Sequence, residues 1–447
     1  MATITGGYDY SNINADSLAP GQNHYIVVGG GNALINAGSL NDTVIAGSGN
    51  ISIFGGSGND VVQAGDGQVA LDGGSGDNVL SAGNGNIFIS AFSGNDSIHA
   101  GSGQISINAG DGNNSIVADS GNSTILAGSG NDAVHFGSGQ AMLSLGGGNN
   151  SVWGGSGNTT VLAGDGDNQI ALGSGSASVQ TGNGNDQVTL GDGQALVNLG
   201  NGNNTLVAGS GSATVLGGSG DDQVTLGSGQ ASVNLGDGNN VAVLGSGNST
   251  VQAGAGNDVV RGGDGQHLID TGAGDDSITL GHGNASVLAG AGNDQVSLGN
   301  GQAHVDAGAG NDTVFAGSGN ATVLGGDGND ELHGGAGQVS LDGGAGDDLL
   351  FGGPSSETLT GGAGGDNFRF SSGAGYDVVS DFNKGLDTLW IQDGINGMAV
   401  HSAADVAAHA QQGWNGVTIY LGQTVITLQG VSAADLMAHP DQYLKLF

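Results

Sequence analysis

The sequence predicts an all-β fold: a single long, right-handed parallel β-roll or β-helix solenoid of 18-residue coils, closed by a small C-terminal cap. Three observations predict it. The first is a frame. Counting in nines in both directions from Gly343–Phe351, GGAGDDLLF, a nonapeptide register runs from Val28 to Arg369 through 38 copies without an insertion or deletion. Such a short fixed period marks a stacked repeat architecture. The second is composition. The 447 residues include 97 glycines and only 3 prolines, and glycine this abundant reads as disorder when aperiodic but as a repeat fold when strictly periodic. The third is alternation. Position eight of each copy is apolar (Val44, Ile53, Val62, Leu71, Leu80, Ile89, Ile98, Ile107 and onward to Leu350 and Leu359), while positions seven and nine are mostly Ser, Thr, Gln and Asn. Period-two alternation marks a strand with one buried face.

Each nonapeptide is therefore a glycine turn followed by a short strand. Glycine at positions two and four supplies the positive φ of a tight turn at no steric cost. Met1–Val27 reads as an irregular N-terminal cap whose last residues, Tyr25–Val28, begin the first strand. Ala242 is the weakest of the position-eight residues. After Arg369 the pattern changes, and 370–447 reads as a C-terminal cap. Ser402-Ala-Ala-Asp405 and Ser432-Ala-Ala-Asp435 open two short helices, the first ended by Gly413 and the second by Pro440. Val417–Leu421 and Val425–Leu428 flank Gly422-Gln423, a two-residue hairpin turn.

Odd and even copies differ, which sets the coil at 18 residues. In one set position six is Asp or Asn in every copy, from Asp42 in steps of 18 to Asp366. In the other set it is small or apolar in most copies, as at Ile51, Val69, Ile87, Ile105, Ala141, Ala195, Ala231 and Ala285. Stacked at about 4.8 Å, 19 such coils make a rod of roughly 90 Å. One long edge then carries an acid column. The other carries position-five amides (Gln68, Asn86, Gln104, Asn122, Gln140, Asn158), which can form a ladder along the axis. A 36-residue period is overlaid on this: Asp and Asn alternate in the middle of the acid column, with one phase slip at Asn150/Asn168. The pattern points to duplication of a four-nonapeptide block.

Charge excludes several functions. Asp and Glu number 41 against 4 Lys and Arg, for a formal net charge of −37. No basic surface exists to displace counterions from nucleic acid. Self-repulsion on this scale opposes a compact state unless cations offset it. There is no cysteine, hence no disulfide or thiolate site. The first residues lack the basic and apolar regions of a cleaved secretory signal, and no stretch reads as a membrane span.

The nonapeptide is a signature of calcium-binding parallel β-helices. Calcium takes six to eight oxygens from carboxylates and carbonyls. A glycine turn exposes carbonyls, the Asp that ends it adds a carboxylate, and two stacked turns complete what one cannot. A turn-forming role alone does not explain why the opposite edge dispenses with the acid. The expected ligands are Asp42, Asp60, Asp96, Asp132, Asp186, Asp222, Asp258, Asp276, Asp294, Asp312, Asp330, Asp348 and Asp366. Asn keeps an oxygen but loses the charge. Strong sites are therefore expected where Asp follows Asp, at Asp42/Asp60 and from Asp258 to Asp366. Sites in the middle, from Asn78 to Asn240, are expected to be weak or absent. Histidines are scattered. His99, His135 and Trp153 share one outward column, readable as surface filler or as a weak sugar platform, and His304 and His333 stand apart from it. The Gly-x-Gly pairs are followed by strands rather than by the helix of a nucleotide loop. No nucleophile–base pair stands out, so no enzyme is expected.

Nonapeptides such as GGSGNDVVQ (55–63), GGDGNDELH (325–333) and GGAGDDLLF (343–351) resemble the RTX, or repeats-in-toxin, family. The segments GYDVVSDFNKGLDTL (375–389) and ITLQGVSAADL (426–436) resemble the C-terminal region of type I secreted RTX proteins. The resemblance implies a calcium-bound β-roll with Asp side chains and turn carbonyls as ligands. It also implies export by type I secretion machinery through an uncleaved C-terminal signal, and folding in extracellular calcium. It does not extend to the second edge, which lacks the motif Asp and is expected to be largely metal-free. Nor does it bring an activity, since no effector domain is present.

The expected function is that of a secreted, calcium-binding structural protein. Its rod would assemble as a homo-oligomer or filament into an extracellular fibre, surface layer or biofilm matrix. The alternative is a non-catalytic module at the cell surface that binds polysaccharide or ice. Outward rows on the amide-edge strands alternate Thr-x-Leu (Thr124/Leu126, Thr160/Leu162, Thr214/Leu216, Thr322/Leu324) with Ser-x-Asn (Ser106/Asn108, Ser232/Asn234). Such an uncharged face suits either reading.

Overall fold

Parallel pairing between residues 18 apart organises the chain. The computed structural model describes residues 2–7 and 11–447, in two compact units, one up to Thr225 and one from Leu226. In the first unit, strands that follow the acid turns stack on one another: Thr43–Ala46 on Val61–Ala64 on Val79–Ala82, then Ser97–Ala100 and Ser115–Ala118. Strands that follow the amide turns form a second sheet in the same register: Gly49–Phe54, Gly67–Asp72, Gly85–Ser90 and Gly103–Asn108. Position-eight side chains of both sheets face each other in a narrow core: Val44, Val62, Leu80 and Ile98 are opposed by Ile53, Leu71, Ile89 and Ile107, all buried. Apolar residues at position six of the amide edge, Ile51, Val69 and Ile87, add to that core.

The lead-in is more regular than its sequence suggested. Ala2–Gly6 pairs with His24–Val28, and Ser11–Asn14 pairs with Gly31–Asn36, both parallel. Coiling thus begins before the nonapeptide frame, with a 22-residue step that accommodates a short helix, Ala15–Leu18, capped by the Asn14 side chain. The irregular spacing hid this coil, because it lacks the glycine turns that reveal the others.

The second unit is built from two parallel sheets of the same kind, with Ser277–Leu280 on Gln295–Ser297 in one and Ala285–Ala291 on Ala303–Ala309 in the other. Ala242 is fully buried and holds its place in the core. The sheets run on past Arg369: Asn367–Phe370 pairs with Thr388–Ile391, which pairs with Leu444–Leu446. On the other side Thr358–Ala363 pairs with Tyr376–Val379, and that strand with Thr424–Gln429. The expected hairpin forms between Gly416–Leu421 and Thr424–Gln429, with Gly422 at φ +71° in its turn. Both expected helices are present, as Ala403–Ala407 and Ala433–Ala438. Ser402 accepts from the Asp405 N–H as a cap. The first helix stops before Gly413, because Ala410–Gln412 joins the hairpin as a third strand. Among the described residues no helix is long and apolar enough to cross a membrane.

Candidate metal centre

Position six of the acid edge points inward, and the Asp or Asn there is buried. In the first unit each column residue donates its backbone N–H to Oδ1 of the residue 18 positions on. This runs from Asp42 to Asp60 and continues through Asn78, Asp96, Asn114, Asp132, Asn150, Asn168, Asp186 and Asn204 to Asp222, at 2.7–3.1 Å. In the second unit the chain of bonds runs from Asn240 through Asp258, Asp276, Asp294, Asp312, Asp330 and Asp348 to Asp366 and ends on Asp387, at 2.7–3.1 Å. All thirteen expected aspartates therefore lie in the column, each at most 2% exposed.

One carboxylate oxygen is thus used, and at eleven of the thirteen aspartates the other is left over. Oδ2 of Asp42, Asp60, Asp96, Asp132, Asp186, Asp276, Asp294, Asp312, Asp330, Asp348 and Asp366 is buried without a hydrogen-bond partner. Carbonyls surround it. A Cβ built on Gly55 would sit 2.7 Å from both Asp60 Oδ2 and the Gly73 carbonyl oxygen. On Gly343 it would sit 2.3 Å from Asp348 Oδ2 and 2.6 Å from the Gly361 oxygen. In the turns of Asp60 and Asp348, carboxylate and carbonyl oxygens thus converge on a space that position-one glycine leaves open; in other Asp turns position one is Ala or Thr. Around Asp60 and Asp348 the nearest groups are oxygens, whereas Thr181 and Thr271, at position one, bring a hydroxyl to Asp186 and Asp276. A buried carboxylate without a donor or counter-ion is strongly destabilising.

The titration of these groups reports the same conflict. Burial pushes the carboxyls of Asp60, Asp96, Asp132, Asp222, Asp330, Asp348 and Asp366 up to about 6, and that of Asp294 up to about 7. Neighbouring column aspartates add to the effect at Asp294, Asp330 and Asp348. Hard oxygen donors, net negative charge and carboxylate oxygens buried without partners fit a hard divalent cation. Among the described residues no three His, Asp or Glu side chains cluster as a metal site, so the fit rests on carboxylates together with backbone carbonyls from stacked turns.

The matches of this chain to known proteins agree with that chemistry. A model of the RTX calcium-binding nonapeptide repeat matches residues 27–62, 36–71, 54–86, 72–104, 108–143, 144–179, 199–231, 235–266, 268–296, 288–323, 306–341, 324–356 and 340–368. The chain belongs to the RTX calcium-binding nonapeptide repeat family. RTX nonapeptides bind calcium, and calcium is the cofactor of this RTX chain. No curated protein matches it in sequence. Among solved structures it is similar to a hyperactive, Ca2+-dependent, β-helical antifreeze protein from an Antarctic bacterium. That match has 22% identity over 66% of this chain and 80% of the other, at a TM-score of 0.29. It is also similar to the extracellular lipase LipA of Serratia marcescens, with 19% identity over 47% of this chain and 40% of the lipase, at a TM-score of 0.16. Neither overlap is close enough to bear on function.

Several features of the RTX edge went unread in the sequence. The column starts with a buried histidine. His24 Nδ1 lies 3.0 Å from Asp42 Oδ1 and Nε2 lies 2.8 Å from the Ala19 carbonyl oxygen. The second edge, expected to be largely metal-free, ends in a buried acid pair. The Glu357 N–H donates to Asp377 Oδ1, while both Glu357 carboxylate oxygens and Asp377 Oδ2 lack partners. Burial and the facing Glu357 push the Asp377 carboxyl far up. The signal for it was Gly373-Ala-Gly375-Tyr-Asp377, a Gly-x-Gly-x-Asp outside the nine-residue frame. The expected amide ladder forms only in part: Gln140 N–H donates to Asn122 Oδ1 and Gln266 N–H to Asn248 Oδ1. A longer ladder occupies position five of the acid edge, where Asp77 donates to Asn59, Asn95 to Asp77 and Asn113 to Asn95 through backbone N–H groups. His99, His135 and Trp153 do share a column, with His135 stacked on Trp153 at 4.5 Å. His333 instead stacks between Phe315 and Phe351.

Proposed function

We propose that this RTX chain is a secreted structural protein whose calcium-set coils assemble side by side into an extracellular filament, surface layer or matrix. The observation that carries the reading is an uncharged outward face on the amide-edge sheet of the first unit, on which apolar side chains alternate with hydroxyls and amides in two columns. Phe88, Leu126, Met142, Leu162, Leu196 and Leu216 stand outward along it, each 46–56% exposed. Apolar side chains spread over one uncharged face suit a protein-contact surface. No ionisable side chain stands among the outward residues from Phe88 to Leu216 on that sheet, in a chain of net charge −37. Two copies can meet there without bringing their acid edges together.

Calcium, when bound, supplies the positive charge that the column lacks. The thirteen column aspartates named above, with position-one and turn carbonyls, are the residues that would hold it. The chain's own part is to stack the turns, bury the carboxylates and keep the position-one space open. Residues 1–27 and 370–447 cap the repeat region 28–369. The tail also serves as the uncleaved signal read by type I secretion machinery. Export to a calcium-rich exterior then couples folding to arrival. No catalytic role is assigned.

A second reading has its own observation. A shallow groove of about 1170 Å³ follows the amide edge of the first unit, from Asn86 to Thr214. Amides, hydroxyls and apolar side chains line it, with no charged residue. That lining suits a neutral polysaccharide. Electron microscopy of the purified chain, with and without calcium, separates the readings. Regular fibres that need calcium, and that Leu126→Asp/Leu162→Asp abolishes while calcium binding persists, support assembly. Monomers that bind a neutral glycan in calcium sink it.

A further inference from the structure

Six of the nineteen repeats of the acid column carry Asn rather than Asp, and their amides do something no carboxylate can do. Asn78 Nδ2 donates to the carbonyl oxygen of Gly76 at 2.9 Å. Asn114 Nδ2 donates to Gly110, Gly112 and Ala127 at 3.1–3.2 Å. Asn150 bonds Gly148 and Ala163, Asn168 bonds Gly164 and Gly166, Asn204 bonds Gly202, and Asn240 bonds Gly236 and Gly238. These acceptors are the position-two and position-four carbonyls of the same turn and, for Asn114 and Asn150, the position-one carbonyl of the next coil. The last is the counterpart of the Gly73 and Gly361 oxygens that stand near Asp60 Oδ2 and Asp348 Oδ2 in the Asp turns. In both kinds of turn Oδ1 accepts the preceding coil's backbone N–H; the Asn168 amide donates to Asp186 Oδ1 as well, at 2.9 Å. The difference is that a donor replaces a bare acceptor at one atom.

Position one varies with it. Leu appears there three times, as Leu145, Leu199 and Leu235, and all three turns end in Asn: Asn150, Asn204 and Asn240. No Asp turn has Leu at position one; there it is Gly, Ala or Thr. All three leucines are fully buried. A Cβ built on Gly55, Gly325, Gly343 or Gly361 would already crowd the carboxylate and no Asp turn has more than Ala or Thr there, so a large side chain belongs to a turn that needs no open space.

We propose that the Asn turns are calcium-free by construction: the side-chain amide supplies the positive hydrogens that the carbonyls of an Asp turn obtain from the ion. Position six and position one together decide which turns of this chain take calcium. The inference rests on the calcium reading of the Asp turns. Of the weak or absent sites expected at Asn, it selects the absent.

Calcium counted by equilibrium dialysis on full-length chains tests it. Asn114→Ala removes the amide and should leave the number of bound ions unchanged while lowering the thermal midpoint. Asn114→Asp, beside Ala109, should add at least one ion per chain. Asn150→Asp, beside Leu145, should add none, and Asn150→Asp/Leu145→Ala should restore the gain. Loss of an ion in Asn114→Ala would make Asn a ligand and overturn the inference while leaving the calcium reading intact. Equal gains in Asn114→Asp and Asn150→Asp would overturn the position-one rule. A wild-type chain that binds no calcium would overturn the calcium reading, and the inference with it.

Discussion

At Asp132 and Asn150, neighbours in one column, a single atom separates two kinds of turn. Both Oδ1 atoms accept a backbone N–H at 2.9–3.0 Å. The Asn150 amide is bonded to two carbonyls, while Asp132 Oδ2 has no partner. Converting one into the other should therefore change calcium need more than fold. Asp348→Asn should lower the calcium count by at least one ion per chain. In chelator it should raise the stability of the second unit by about 1–3 kcal/mol, the cost of a buried unsatisfied acceptor. Denaturant melts with and without calcium check this, and a variant less stable in both conditions would contradict it. Glycine is equally specific. Gly344 has φ +106°, and a Cβ there would lie 2.2 Å from the Gly326 oxygen. Gly344→Ala should cost more than ~1 kcal/mol with or without calcium, read from the same melts. The period of nine made the Asp column legible in the sequence, though not its burial. It did not reveal the amide's role, because Asp and Asn are interchangeable as turn formers and differ only in what the turn encloses.

At the scale of elements, the two edges are built from one unit and serve different ends. The amide edge places Ile51, Val69 and Ile87 in the core where the acid edge places Asp and Asn. Core side chains on both sides carry the stacking, so Leu341→Ala, fully buried in the second unit, should cost about 2–5 kcal/mol. Thermal melts in saturating calcium measure that loss. The alternation of position eight predicted these strands, and the glycine turns predicted their spacing. The lead-in strands Ala2–Gly6 and Ser11–Asn14 escaped because their 22-residue step carries no Gly-x-Gly pair. The acid pair Glu357–Asp377 escaped because Asp377 lies 20 residues on, outside the frame. Glu357→Gln places a donor opposite Asp377 Oδ2. In chelator it should slow amide exchange across Tyr376–Val379 by roughly tenfold or more, the factor that a ~1–3 kcal/mol gain implies. Unchanged exchange in that strand would mean that the two carboxyls already satisfy each other.

For the molecule as a whole, charge is the governing quantity. A net charge of −37 opposes folding until counter-ions enter, and the Asp turns concentrate that need inside the fold. From Asp258 to Asp366 every column residue is Asp, whereas from Asn78 to Asn240 Asn is interspersed. Calcium should therefore set one stretch and merely assist the other, by mass action on the folded form. Composition made the need for cations legible; only the hydrogen-bond pattern shows which coils can do without them. The most direct measurement is amide hydrogen exchange along the full-length chain, with and without calcium. The account predicts that chelation strips protection from the strands between Ser277 and Phe351, while those around Asn150 and Asn168, Ser151–Gly154 and Gln169–Leu172, keep most of theirs. Equal loss in both stretches, or no loss in either, would contradict it.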